Sequence, residues 1–480
     1  MKYAPIVLLL LAFGSVSAKT WLVGPARQYV TPSAVMLLVA DGDTVLIDSG
    51  LYKGDVATWT KNNLVLRCPN GMATFDANGN IAGDKAIWVV YGKNTYVEGF
   101  EFYGAAISLA NGDNGAGIRV QGNGFTCRRC YFHDNQEGIL TGNDTSKNDI
   151  LIESCEFDHN GVEGTAAAGY EHNIYIGLCS SCTITFCYFH ASIVGHEVKC
   201  RANRSYILYN KIVDGPSGDG SLSIDIPQGG LAFVIGNSIE KGPMTANSTV
   251  IGYGEEGFKN PDTDFYFINN TLVTDRNPTI FFEIAPGAKT ALIANNIIAG
   301  MGHPIAGYTD TESNIIEADT SFFHFADPAN YDYRLTQTFP GLTSAAILGS
   351  VKGFSLTPMS EYADVADSAP RAFLNQVGAF PFISGIGSVT GQPMPTVGSN
   401  HPYPFTLTTQ IVLPEAFTGL AGVILSIYNV TGTLVRQEEY SEIASSIELT
   451  RGDLFPGVYR YRILSRDGKL ECSGSVVVSP

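Results

Sequence analysis

Charge is scarce in this 480-residue chain. Asp, Glu, Lys and Arg together make up 16% of it, and acids outnumber bases 46 to 29, for a net charge of −17. Such a chain has no bulk positive field for nucleic acid or for an anionic membrane surface. A local basic patch can still hold an anionic glycan. Long apolar runs are also lacking. Past the first residues, no stretch reaches the 18 or so uninterrupted apolar residues of a membrane-spanning helix, so no membrane insertion is expected. Cys179 and Cys182 form a Cys-x-x-Cys with no second pair at zinc-site spacing, so no metal ligand is assigned. EF-hand and nonapeptide calcium spacings are absent too. Ca²⁺ is nevertheless the one candidate cofactor, because Asp262-Thr263-Asp264 and the segment Asp214–Asp219 offer hard oxygen ligands. Glycine (52 residues) and aromatics (11%) are plentiful, and this composition favours strands in a globular chain.

Residues 1–18 read as a signal peptide. Lys2 supplies a short positive start, Ile6 to Phe13 an apolar run, and Val16-Ser17-Ala18 a small-residue cleavage site. A secreted or cell-surface location follows as the expectation. Nine cysteines in an exported chain suggest disulfides. Cys130, Cys155 and Cys187, however, fall at equivalent repeat positions and read as stacked, buried thiols. Cys179 and Cys182 suit a local turn or a disulfide.

From about residue 85 a repeat is evident. Eight segments share two or three apolar residues and a ladder residue: Phe100, Cys130, Cys155, Cys187, Asn210, Asn237, Asn270 and Asn296. They recur every 23 to 33 residues. A second strand family, with Ile118, Ile139, Ile174, Val198, Ile224 and Ile251, precedes the ladder by 12 to 19 positions. This spacing predicts an all-β chain, a right-handed parallel β-helix (solenoid) with two strands per coil and variable loops on one side. Asn suits the corner, because it tolerates left-handed backbone and its side chains hydrogen-bond from coil to coil. An N-terminal cap is expected from Trp21 to Asn80, with a short helix over Pro32 to Ala40 and strands at Thr44–Ile47 and Asn63–Arg67. Strands are also expected at Tyr331–Leu335 and, closing the solenoid, at Val377–Phe380. The β-helix spans 19–390. A linker rich in Gly, Pro and Ser follows at 391–402, then a small β-sandwich at 403–480 with six short alternating strands.

Two resemblances accompany these patterns. Val23-Gly24-Pro25, Thr31-Pro32-Ser33-Ala34 and Asp41-Gly42-Asp43-Thr44, with the phrase Gly195-His196-Glu197-Val198-Lys199-Cys200-Arg201-Ala202, resemble the bacterial β-helix proteins of the pectate-lyase-like superfamily. That resemblance implies the fold and a carbohydrate ligand. Leu425-Ser426-Ile427-Tyr428-Asn429-Val430-Thr431-Gly432 and Leu454-Phe455-Pro456-Gly457-Val458-Tyr459 resemble the type IX secretion sorting domain, which implies the secretion machinery as a partner. The chain ends Val477-Val478-Ser479-Pro480, without that domain's usual basic tail. An ordinary immunoglobulin-like module is the alternative.

The candidate site comes from three similar phrases, with Ile174, Val198 and Ile224 spaced 24 and 26 residues apart. If these point inward, Tyr175, Lys199 and Asp225 form one outward column. Asn173, Glu197 and Ser223 are then expected in a second outward column, and His172 and His196 at the strand entry. Arg201 shares the face of Lys199. Such a set suits β-elimination on a uronate polysaccharide, with Lys199 as base, Arg201 or His196 holding the carboxylate and Tyr175 protonating the leaving oxygen. Superfamily lyases commonly use Lys and Arg on neighbouring coils, and Lys199 matches that use. Asp225 counts against it, since a carboxylate beside Lys199 keeps the lysine protonated. A glycoside hydrolase using Asp225, with Glu197, Glu255, Glu256 or Glu283 as second carboxyl, is the alternative. A non-catalytic glycan-binding scaffold is the third reading. His172, Asn173, Glu197 and Glu255 are the candidate substrate contacts.

Overall fold

The computed structural model describes residues 18–480 apart from 145–147, 166–167, 304–309, 372–374, 383–395, 398, 402–404, 406, 414–416, 418–421, 430–433, 442–445, 455–456, 467–470 and 479–480. The expected leader, save Ala18, and most of the expected linker lie outside the described residues. The chain divides into two compact units. One runs to Ile347 and includes Glu361–Phe382; the other holds Leu348–Ser360 and everything from Ile383.

The first unit is a parallel β-solenoid built from sheets of twelve, eleven and nine strands. Each coil contributes three strands rather than the two that the spacing predicts. In one coil these are Phe125–Arg128, Tyr131–His133 and Glu137–Thr141, and the next coil starts at Asp149–Glu153. The extra strand hides in the sequence because it follows its predecessor after only two residues. All eight ladder segments fall where the twelve-stranded sheet ends at this tight corner.

The corner differs from expectation in one detail. The residue with positive φ precedes the ladder residue: Arg129, Ser154, Phe186, Tyr209, Asn269 and Asn295. The ladder Asn therefore keeps its amide inside. Asn210 Nδ2 donates to Asn237 Oδ1 (2.9 Å), Asn237 to Asn270 (2.9 Å), Asn270 to Asn296 (3.2 Å) and Asn296 to Asn314 (2.8 Å). Beneath the eleven-stranded sheet, Phe75, Phe102, Phe132, Phe157 and Phe189 stack at 4.7–5.3 Å between centroids. Each fully buried ring contributes about 1.5–3 kcal/mol of transfer free energy.

All nine cysteines are buried thiols, so the expected disulfides are not formed. Cys155 Sγ lies 3.8 Å from Cys127 Sγ, a packing contact between thiols. The helix expected over Pro32 to Ala40 is only a 3₁₀ turn, Pro32–Ala34. Its apolar residues lack helical periodicity, and Leu37 and Leu38 stay exposed. Asp332–Leu335 is a strand, whereas Val377–Phe380 is not. The Val377 and Gly378 amides bond singly to Leu342 O and Asn295 O, which covers the core without a ladder. No helix among the described residues is long and apolar enough to cross a membrane.

In the second unit, strands at Thr408–Val412, Val423–Asn429, Leu434–Tyr440, Ser446–Thr450, Gly457–Ser465 and Glu471–Val478 match the six expected. They form small, mostly antiparallel sheets of five and three strands, including short strands at Thr396–Val397 and Ser399–His401. Ile411, Leu425, Ile427, Ile447, Leu449, Tyr461 and Ile463 fill a separate core.

Candidate functional site

The site lies on the nine-stranded sheet. Ile174–Ile176, Val198–Cys200 and Ile224–Ile226 are neighbours in it. Their register pairs Ile174 with Val198 and Ile224, and Tyr175 with Lys199 and Asp225, as the 24- and 26-residue spacings predict. The three aliphatic side chains are fully buried, which turns the alternate positions outward. The outward column continues through Leu140 on one side and through Gly252 and Glu283 on the other.

Long connections flank this column. Residues 104–115 and 168–173 lead into strands of the sheet, and 254–263 leaves it. Together they enclose a cavity of ≈ 320 Å³ lined by Tyr175, Lys199, Arg201, His172, Glu137, Glu171 and Glu256, among others.

The cations are anchored. Lys199 Nζ lies 3.3 Å from Asp225 Oδ2 and 3.8 Å from Glu256 Oε1. Arg201 grips Glu256 with Nε (3.2 Å to Oε2) and a terminal nitrogen on Oε1, a fork that matches the planar carboxylate. The Arg201 guanidinium also lies 4.8 Å from the Tyr175 ring centroid, within cation–π reach.

His172 and His196 stack at 4.6 Å. The His196 amide donates to His172 Nδ1 (2.9 Å), and the Leu222 amide donates to His196 Nδ1 (3.1 Å). Because each Nδ1 accepts, each neutral ring carries its proton on Nε2. The His196 Nε2–H faces Asp225 Oδ2 at 3.3 Å. Burial and the charges of Lys199 and Lys241 pull His196 down to about 3. Burial pulls His172 far below the usual histidine range, with His196 and Lys199 adding to the effect. Neither ring is charged at neutral pH.

The carboxyls divide by environment. Burial pushes Asp225 up to about 6 against the pull of Lys199. Burial and the charge of Asp225 push Glu255 up to about 8. Glu255 lies over Gly252, where a Cβ would collide with its carboxyl, so the outward column is vacant at that coil to admit it. Burial pushes Glu171 up to about 7, and burial plus the charge of Glu171 raises Glu137 well above the carboxylate range. One oxygen of each of these two is buried without a hydrogen-bond partner. Glu256 is the reverse case: burial would raise it, but the hydrogen bonds of Arg201 and Gln228 hold it below its ordinary value.

The structure thus brings Tyr175, Lys199, Arg201, His172, His196, Asp225 and Glu255 onto or beside one sheet face. Asn173, Glu197 and Ser223 do not form the expected outward column. All three are fully buried. Alternation ends with the strand, and at the bend before it these side chains turn inward. Asn135 and Asn160 each donate to the next Asn Oδ1 (3.0 and 2.8 Å), and Asn173 Nδ2 ends the ladder on Glu197. Burial and the charge of Asp214 push Glu197 up to about 8.

Glu137 and Glu171 were not assigned to the site from the sequence. Glu171 immediately precedes His172 in the chain, which is the one signal that marked it. Among the described residues, no group of three or more His, Cys, Asp or Glu could hold a metal ion. No protein-family model matches the chain, and no curated protein is significantly similar to it.

Proposed function

We propose that the protein is a carbohydrate-active enzyme of the glycoside-hydrolase type, with its site in the cleft over Tyr175, Lys199 and Asp225. One observation carries the proposal: Glu171 and Glu256 line the same cavity in opposite settings. Glu171 is buried with an unpartnered oxygen, and Glu256 is clamped by Arg201. Two carboxyls whose surroundings drive their pKa values apart are the requirement for hydrolysis by a general acid and an ionised partner. Glu171 is the acid that protonates the glycosidic oxygen. Glu256 is the carboxylate that acts as base or nucleophile. Asp225 holds Lys199 and His196 in place behind it.

Lyase chemistry on a uronate polysaccharide is the second reading, favoured by the convergence of Lys199 and Arg201 over the Tyr175 ring. It requires these cations to leave Asp225 and Glu256 for a substrate carboxylate, so it ranks second. Membership of the pectate-lyase-like superfamily, export to the cell surface, and a sorting role for the C-terminal unit belong to the same proposal. They are supported by the coil architecture, the leader-like first 18 residues and the compact C-terminal sheets.

The test is incubation with a panel of neutral and acidic polysaccharides, assayed for reducing ends and for unsaturated-uronate absorbance. New reducing ends without absorbance, lost by about 10²–10⁴-fold in Glu171→Gln and Glu256→Gln, are expected. Absorbance abolished by Lys199→Ala would establish the lyase instead. Full activity in Glu171→Gln would sink the hydrolase assignment.

A further inference from the structure

Three side chains that line the cleft each carry a polar atom without a hydrogen-bond partner: Nε2 of His172, Oε2 of Glu137 and Oε2 of Glu171. Each of these residues is 1% exposed, so bulk water does not satisfy the three atoms. A buried polar atom left unpaired costs stability, and folded chains keep few of them. Three around one cavity mark a place that a bound molecule completes.

The backbone fixes their positions. The His172 amide donates to the Glu137 carboxyl, and the Gly138 amide donates to His172 O (3.4 Å). The bend before Ile174–Ile176 is thereby tied to the strand Glu137–Thr141 of the preceding coil. The His172 ring is held as well. It stacks on His196 at 4.6 Å, meets Tyr175 edge to face at 5.5 Å, and accepts the His196 amide at Nδ1. The unpartnered Nε2 is therefore the nitrogen that carries the hydrogen.

This set of atoms selects among ligands. The His172 N–H only donates, and the free oxygen of Glu137 accepts. A hydroxyl answers both, accepting from His172 and donating to Glu137. An ammonium group would set its charge against the His172 N–H. A carboxylate would meet Glu137 and Glu171, while Lys199 and Arg201 are already engaged by Asp225 and Glu256. Arg119, a further cation whose charge reaches Glu137, does not line the cavity. A neutral sugar ring brings hydroxyls and no charge. With one hydroxyl held by His172 and Glu137, the ring lies beside Glu171, whose own free oxygen is left for the glycosidic oxygen.

We propose that His172 and Glu137 form the specificity subsite of the cleft, which grips one hydroxyl of a neutral sugar ring and excludes uronates. The inference rests on the hydrolase reading for the role of Glu171, and its test reads binding rather than cleavage. The experiment is affinity electrophoresis of the full chain in native gels containing mixed-linkage β-glucan, xylan, mannan or galactan, with pectin and alginate as acidic counterparts. Glu256→Gln is run beside the unaltered chain as a non-cleaving form. Retardation is expected in at least one neutral gel and in neither acidic gel. A roughly 10- to 100-fold weaker apparent affinity is expected in Glu137→Ala and in His172→Phe, from the loss of one buried hydrogen bond. Because these polymers differ in the configuration of single hydroxyls, both variants should also narrow the ratio between the strongest and the weakest neutral gel. Glu137→Gln, which keeps the shape and a carbonyl acceptor, should retain more of the affinity, and it carries the test if alanine lowers the thermal midpoint. Unchanged retardation of the variants overturns the subsite. So do an equal loss in every neutral gel, retardation confined to the acidic gels, and no retardation at all. If the variants weaken neutral-glycan binding while no polysaccharide is cleaved, the subsite stands and the hydrolase assignment falls. If cleavage is seen and discrimination among neutral polymers is unchanged in the variants, the reverse holds.

Discussion

Glu171 and Glu256 show how two side chains with one intrinsic chemistry are driven to opposite states. One Glu171 oxygen has no donor, and burial carries the group up to about 7 against the pull of nearby backbone amides. Glu256 is paired by a guanidinium and held below its ordinary value. A hydrolase that needs the first protonated and the second ionised has a bell-shaped rate profile. The alkaline limb falls as Glu171 loses its proton near pH 7, and the acid limb falls below about pH 4.5 as Glu256 gains one. A pH series of initial rates checks this. Arg201→Lys removes the fork on Glu256 and should move the acid limb upward without moving the alkaline one.

At the scale of the element, the ladders set the energetics. Phe157→Ala removes an interior ring of the stack, packed on both faces, and should cost about 3–5 kcal/mol. Asn237→Ala strands the Asn210 amide, which donates to Asn237 Oδ1, in a corner without water access. It should cost about 1–3 kcal/mol, more than an exposed Asn of the same strand type. Urea unfolding of each variant measures both effects. These elements were the legible part of the sequence. Inward Ile174, Val198 and Ile224 at coil spacing gave the register of the site to the residue. The third strand was not legible, because a corner of two residues leaves no turn signal. Asn173 and Glu197 were misplaced for a related reason: strict alternation holds inside a strand and fails one residue outside it. Glu137 and Glu171 belong to different coils, and Glu171 lies outside the strands, where there is no periodicity to read.

On the scale of the whole molecule, titration of buried groups sets stability. Burial holds Glu197 and Glu240 up to about 8, whereas in an unfolded chain they ionise near 4.5. Between those values the folded form binds more protons than the unfolded one, so stability falls as pH rises. His190, despite its burial, is raised to about 9 by Asp158 and Glu156, and its contribution is lost in the same direction above pH 6.5. His172 and His196, held neutral, act oppositely but only below pH 6.5. The thermal midpoint should therefore drop from pH 6.5 to 8, and Glu240→Gln should flatten the drop. Scanning calorimetry of both proteins across that interval tests it.

The corners carry a wider consequence. Phenylalanine, cysteine and asparagine ladders fix where the chain must be at each coil, and they leave the length of chain between them free to vary. Excess length is discharged into the connections between strands, and residues 170–172 and Glu256 of such connections wall the cleft. Changes there that spare the residues tied to the coils, such as Asn160, Asn173 and Asn260, leave the hydrogen-bonded frame intact. Natural selection can therefore revise what this molecule holds while leaving untouched the rules by which it folds.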